Sequence, residues 1–157
     1  MPIAPSAHTD VDRPPVSPNG ATVMDSPALT RQIDLTARPE AAGQARRFAH
    51  SCLVDWHLDA MTDDIDLVVS ELVTNALLHA RTDGRPAGPA PIRLEVLLNL
   101  DSLVCRVTDS SAAPPAQEAV GESAENGRGL FLVDVLSTQW GWFSGPAGKV
   151  VWARFDL

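Results

Sequence analysis

The sequence of 157 residues has no tyrosine, one lysine and two cysteines, and only 5% of it is aromatic. Two cysteines, Cys52 and Cys105, make neither a disulfide framework nor a zinc site, and we expect them to be small buried residues. No apolar run approaches about 18 residues, which predicts no membrane-spanning helix. The first residues lack the basic-then-apolar pattern of a secretion signal. These absences predict a protein of the cytoplasm.

The charged residues are mostly acidic, twenty against twelve basic ones, and give a net charge of −8. Proteins that bind nucleic-acid phosphates need clustered positive charge, so no direct nucleic-acid partner is predicted. An apolar fraction of 45% is typical of a soluble globular chain. Six of the thirteen prolines lie in residues 1–28, which predicts a disordered N-terminal arm before one folded domain over residues 29–157.

The apolar periodicity predicts an α+β fold. Helical spacing is concentrated early and strand alternation late, which favours a two-layer α/β sandwich with a mixed, mostly antiparallel sheet covered by about three helices. Residues 110–128 are predicted to form a loop, and we expect a loop of this length in a compact domain to have a function. The predicted strands span 29–36, 92–99, 103–108, 139–144 and 150–157, and the predicted helices span 39–57, 63–80 and 130–136.

A polar stripe runs along the second predicted helix. Glu71, Asn75 and His79 fall within roughly 80° of one another around the helix axis. Leu67 and Leu78 project on the same side, so this is not a plain solvated face. Polar groups among leucines are costly to bury unless a ligand pairs with them, and Mg²⁺ carrying a polyphosphate would do so. The alternative is a solvated face with incidental leucines.

Two further segments predict ligand contacts. Asp109 ends an alternating strand on its core-facing side, where the carboxylate needs a donor such as the exocyclic amine of adenine. Alternatively, it caps the turn at residues 110–111. Gly127 and Gly129 flank Arg128 before a short helix, where glycine lets the backbone approach a ligand and free N–H groups bind anions. Simple loop closure is the alternative for this segment.

Two other groups of residues are weaker candidates for a functional site. His50 and His57 lie seven residues apart on the first helix, but no carboxylate or cysteine completes a metal site with them. Three tryptophans in the closing hairpin predict core packing or a partner surface, with nucleotide stacking as a minor alternative. These are Trp140, Trp142 and Trp152.

The order of these features resembles the GHKL ATPase superfamily, and within it the anti-sigma-factor serine/threonine kinases. The most specific match is DDIDLVVSELVTNALLHA, which stands where the family has its N box. VTDSSAAPP stands at the first glycine box, NGRGLFLV at the second, and GKVVWARF at the last strand. The resemblance covers about residues 30–157 and implies the Bergerat ATP-binding fold.

Carried over position by position, the resemblance implies a role for each matching residue. Glu71 would be the general base or the residue that positions water, and Asn75 would be the Mg²⁺ ligand. Asp109 would bind adenine, and the glycines of the second box would let a lid wrap the phosphates. The residues implied to bind ATP are Asn75, His79, Asp109, Gly127, Arg128, Gly129 and Leu130.

The resemblance also implies a function and partners. The protein would transfer the γ-phosphate of ATP to a serine or threonine of an anti-sigma antagonist of the STAS type and control a sigma factor, and it could form a homodimer. Three departures from the family pattern favour weaker ATP binding. The lid is short and acidic, with Glu118, Glu122 and Glu125, which would repel phosphates locally. Ser111 replaces the glycine of Asp-x-Gly, and Val150 replaces a threonine that could bond on the adenine side. The alternative function is a catalytically weak nucleotide-binding module that sequesters its partner.

Overall fold

In a computed structural model of the chain, the residues that the structure describes form one sheet of five strands with three α-helices on one face. The structure describes residues 29–82, 91–111 and 129–157. The predicted N-terminal arm and residues 112–128 of the predicted long loop lie outside the described residues. The strands are β1 (Leu29–Thr36), β2 (Pro91–Leu98), β3 (Ser102–Asp109), β4 (Gln139–Gly145) and β5 (Gly148–Asp156). The helices are α1 (Ala41–Asp55), α2 (Thr62–Thr82) and α3 (Gly129–Leu136), with a 3₁₀ turn at Asp59–Met61.

The strand order is β1-β2-β3-β5-β4, and every neighbouring pair is antiparallel. The predicted α+β sandwich is confirmed. The sheet was predicted to be mixed, but the described strands pair in antiparallel fashion throughout. Tight hairpins join β2 to β3 and β4 to β5, and a short connection between neighbouring strands permits only antiparallel pairing. β3 therefore lies at the centre of the sheet, with β5 beside it.

Every predicted helix and strand is present, with ends within two residues of the prediction. The first helix was predicted from residue 39, but Pro39 and Glu40 form a turn in which Ala41 N–H donates to the Arg38 carbonyl. The helix ends before His57, whose φ of 58° is left-handed and cannot continue it. No helix in the described ranges is long and apolar enough to cross a membrane.

The core lies between the helices and the sheet. α1 packs through small, fully buried residues, which bring its backbone close to its neighbours, whereas α2 buries larger aliphatic residues at helical spacing. Cys52 and Cys105 are free and buried, as predicted. Burial raises the pKa of the Cys105 thiol to about 12, so it has almost no reactive thiolate at neutral pH. The helical core residues include Ala45, Ala49, Cys52, Ile65, Val68, Val69, Leu72, Val73 and Ala76.

The opposite face of the sheet has a small apolar cluster of its own, in which Trp152 packs with Leu97 and Val104. Trp140 and Trp142 instead pack against the main core, so the three tryptophans are divided between the two faces. This division follows from strand alternation along β4 and β5. Charged pairs surround the small cluster: the Arg93 side chain bonds Asp34 at 2.7 Å, and Arg106 pairs with Glu95 at 2.5 Å.

Gly148 fixes how β5 approaches the end of β3. Its φ is +132°, and a Cβ at this position would lie 1.9 Å from the Asp109 carbonyl oxygen. The same Cβ would lie 2.9 Å from the Ser110 Cα. Only glycine combines this backbone conformation with so close an approach. The β4–β5 turn is therefore pressed directly onto the residues that follow β3.

We expect Gly148→Ala to lower the free energy of unfolding by about 2 kcal/mol or more, because backbone atoms must move to admit the Cβ. Gly43→Ala is the matched control. A Cβ at Gly43, within α1, meets only arginine side-chain ends at 3.5 and 3.7 Å, so this variant should be about 0.5 kcal/mol more stable than wild type. Urea unfolding followed by circular dichroism measures both changes. Wild-type stability in Gly148→Ala would contradict the close approach.

Candidate functional site

α2 places Glu71 and Asn75 at the edge of the core. The buried positions of the helix recur at 3.6-residue spacing, and these two residues, one helical turn apart, lie beside that buried stripe. Both are half-buried. Leu67 and Leu78, on the same side of the helix, are 48% and 40% exposed. Glu71 and Asn75 are therefore neither in the core nor in bulk solvent, as residues that line a ligand site would be.

The hydrogen bonding of the Asn75 side chain is incomplete within the described residues. Its Nδ2 is buried and has no hydrogen-bond partner in the part of the chain that the structure describes. A buried polar group without a partner costs about 1–3 kcal/mol. Neighbouring Glu71 is also penalised by its position, because burial raises the pKa of its carboxyl group. Two polar groups held at such a cost on adjacent turns are typical of a binding site.

Asp109 lies at the end of β3 and is 4% exposed. Its Oδ1 accepts a hydrogen bond from the Ser111 N–H at 2.8 Å, so the predicted capping of the following turn is present. Its Oδ2 lies 3.3 Å from Nζ of Lys149. Sequence reasoning missed Lys149. The available signal was the alternation of β5, in which residues 149, 151 and 153 share the side that faces the helices.

Two of the departures from the family pattern lie in the described residues, and their surroundings differ. Ser111 is buried without a left-handed backbone, since His57 is the only non-glycine residue with positive φ in the described ranges. The expectation that the missing hydroxyl of Val150 weakens ATP binding stays a prediction. Val150 pairs with Thr108 and lines a cavity of about 400 Å³ on the face of the sheet away from the helices. Its missing hydroxyl therefore cannot lie beside the Asp109 carboxylate, because alternation turns Lys149 to that side.

The structure describes the remaining predicted site residues only in part. His79 belongs to α2 and Gly129 begins α3, and Leu130 is buried. Gly127 and Arg128 lie outside the described residues. α2 packs against both β3 and α3, so the helix that carries the polar stripe contacts the strand that ends at Asp109 and the helix that Gly129 begins.

A metal ion in this region would have few protein ligands. The described ranges contain no group of three or more His, Cys, Asp or Glu residues that could hold one. Mg²⁺ suits such a site because it commonly takes one or two protein oxygens and completes its shell with phosphate and water. The amide oxygen of Asn75 fits that requirement.

Two comparisons with known proteins bear on this site. The model of the histidine kinase-like ATPase domain family matches residues 35–155. The chain belongs to this family. Membership confirms the resemblance to the GHKL ATPases and implies ATP as the ligand, generally with Mg²⁺.

A solved structure shares the fold of this ATPase domain. It contains the RsbU and RsbW domains of Rv1364c from Mycobacterium tuberculosis and matches with a TM-score of 0.60 and 20% sequence identity over 81% of this chain. The match spans 32% of that longer chain, so it shows a common fold and not a common activity. No curated protein matches the sequence.

The raised pKa of Glu71 predicts a stability effect. Ionising this carboxyl group costs more in the folded than in the unfolded protein, so the penalty is absent below the ordinary pKa of 4.5 and fully present above the folded value. We expect Glu71→Gln to be more stable than wild type near neutral pH and to lose that advantage as the pH falls below 4.5. Urea unfolding of both proteins at neutral pH and below pH 4.5 measures this difference in the free energy of unfolding. A less stable variant at neutral pH would contradict the assigned burial.

Proposed function

We propose that this histidine kinase-like ATPase domain binds ATP with Mg²⁺ and transfers the γ-phosphate to a serine or threonine of a partner protein. The observation that supports it most directly is the pair on α2. Asn75 Nδ2, which has no hydrogen-bond partner within the described residues, belongs to a side chain one helical turn from Glu71, and burial raises the pKa of the Glu71 carboxyl group. Such a pair is costly until a ligand completes it, and membership in a family of ATPases indicates which ligand does so.

Asn75 would hold the metal. Its amide oxygen is a neutral oxygen ligand of the kind that Mg²⁺ accepts, and the buried position of the side chain restricts its movement. Bound there, Mg²⁺ would neutralise charge on the β- and γ-phosphate oxygens of ATP. Asn75 would thereby hold the metal-bound phosphates near α2, one helical turn from the Glu71 carboxyl group.

Glu71 is the proposed general base. Because burial disfavours its charged form, the carboxylate readily accepts the proton of an attacking hydroxyl group. Phosphoryl transfer depends mostly on positioning and charge, and the fixed spacing of α2 supplies the positioning. The N–H groups of Gly129 and Leu130, at the start of α3, would hold the terminal phosphate.

Asp109 would recognise the base of the nucleotide. Its carboxylate accepts hydrogen bonds, so it suits the exocyclic amine of adenine and disfavours a purine with an oxygen at that position. His79 would line the same pocket, and the segment with Gly127 and Arg128 would close over the phosphates.

The proposed protein substrate is an anti-sigma antagonist of the STAS type, and the proposed regulated partner is a sigma factor. The family resemblance supports both, and so does a fold shared with a protein that contains an RsbW domain. The proposal includes action in the cytoplasm, where such partners occur, and assembly into a homodimer.

We expect Asn75→Ala to lower the affinity for Mg-ATP at least tenfold, because the metal loses its protein ligand. The variant should fold as stably as wild type or more so, since it removes a buried N–H group that lacks a partner. Calorimetric titration measures the affinity. Thr74→Ala, at an exposed position on the same helix, is the control and should bind as wild type does. Unchanged affinity in Asn75→Ala would refute the metal assignment.

Glu71→Gln should retain Mg-ATP binding but lower γ-phosphate transfer to a purified antagonist by about 10²–10⁴-fold, the usual contribution of a general base. Transfer of labelled phosphate measures the rate. An unchanged rate in the variant would show that Glu71 is not the base. If the wild-type protein binds ATP and transfers phosphate to no antagonist, the sequestering module is the better description.

A further inference from the structure

Lys149 is the only lysine in the sequence, and it is 1% exposed. It lies near the start of β5, on the side of the sheet where Val151 and Ala153 join the main core. Lysine is almost never fully buried without a partner for its charge. Its burial beside the proposed adenine site therefore calls for an explanation that the proposed mechanism does not supply.

The charge of Lys149 is balanced by Asp109. The two residues are direct cross-strand partners, and Nζ lies 3.3 Å from Oδ2. Two hydrogen bonds from backbone N–H groups also fix the residues around this pair. The Ser111 N–H donates to Asp109 Oδ1 at 2.8 Å, and the Lys149 N–H donates to the Ser111 carbonyl at 3.1 Å. Both carboxylate oxygens therefore have a neighbour in a fixed position.

This arrangement leaves the carboxylate able to bind a ligand. An ionised carboxylate offers about four lone-pair positions and only accepts, whereas a protonated one can also donate. The Ser111 N–H and the ammonium group take up part of that capacity. The ammonium group also places an opposite charge 3.3 Å from Oδ2, which compensates the burial of the carboxylate.

We propose that Lys149 is a positioning residue that determines base specificity. It compensates the charge of Asp109 and fixes the direction of Oδ2, so that the carboxylate accepts from the amine of adenine and repels the oxygen of hypoxanthine or guanine. This inference rests on the proposed function, since it requires a nucleotide at Asp109. Lys149 itself would not contact the base, because it acts through the Asp109 carboxylate.

The test compares ATP with ITP, in which an oxygen replaces the adenine amine. Lys149→Met should bind ATP about tenfold more weakly, because Asp109 loses its compensating charge, while the affinity for ITP changes little. The preference for ATP over ITP should therefore narrow about tenfold. Calorimetry with Mg²⁺ present measures both affinities. Arg106→Met is the matched control, since it removes the cation of the Glu95 pair on the opposite face of the sheet and should leave the preference unchanged.

Each other result is decisive. Equal loss of ATP and ITP affinity in Lys149→Met would reduce the residue to a structural role, and tighter ATP binding would make the ammonium a competitor of adenine. Either result overturns the inference. A wild-type protein that binds neither nucleotide would instead refute the proposed function.

A measurement on the wild-type protein guards against a variant that fails to fold. Because the chain has one lysine, labelling lysine with ¹⁵N at Nζ gives a single side-chain ammonium signal. We expect saturating Mg-ATP to shift this signal and Mg-triphosphate without a base to leave it in place. A signal that ATP does not move would contradict the inference.

Discussion

The close approach of β5 to the end of β3 determines what this site can be. Gly148 lies so near the Asp109 carbonyl that no other residue fits, and the ladder then sets Lys149 directly opposite Asp109. A carboxylate at the end of a strand would ordinarily be hydrated. Here it is buried, its charge is balanced at 3.3 Å, and a backbone N–H fixes its orientation. Sheet geometry thus produces a rigid acceptor at the margin of the core.

The second half of the site depends on α2, and the same physical reasoning applies to it. Within the described residues, Asn75 Nδ2 has no hydrogen-bond partner, and burial raises the pKa of the Glu71 carboxyl group. Natural proteins retain such unfavourable local arrangements mainly at functional sites. The two halves differ, because Asp109 has a counter-charge at 3.3 Å whereas Glu71 has no ion pair within the described residues. This difference matches a ligand with an uncharged base at one end and a metal-bound triphosphate at the other.

The helices, the strands and the half-buried residues of α2 could be predicted from the sequence, because each depends on local periodicity. Apolar spacing located each helix and strand, and the four-residue recurrence of Glu71 and Asn75 located the half-buried row. Features that depend on pairing between distant strands could not be read in this way. The partnership of Lys149 and Asp109 exists only in the β3–β5 register, which the periodicity of either strand alone does not give. One residue of offset reverses the face of a side chain.

Calorimetric titration of the full chain with ATP and with GTP, each with Mg²⁺, decides whether α2 and Asp109 form a nucleotide site. We expect saturable heat with ATP that disappears when the Mg²⁺ is chelated, and much weaker binding of GTP, whose base would present an oxygen to Asp109. No saturable binding of ATP would contradict it. Equal affinity for the two nucleotides would be compatible with triphosphate binding at α2, but it would contradict recognition of the base by Asp109.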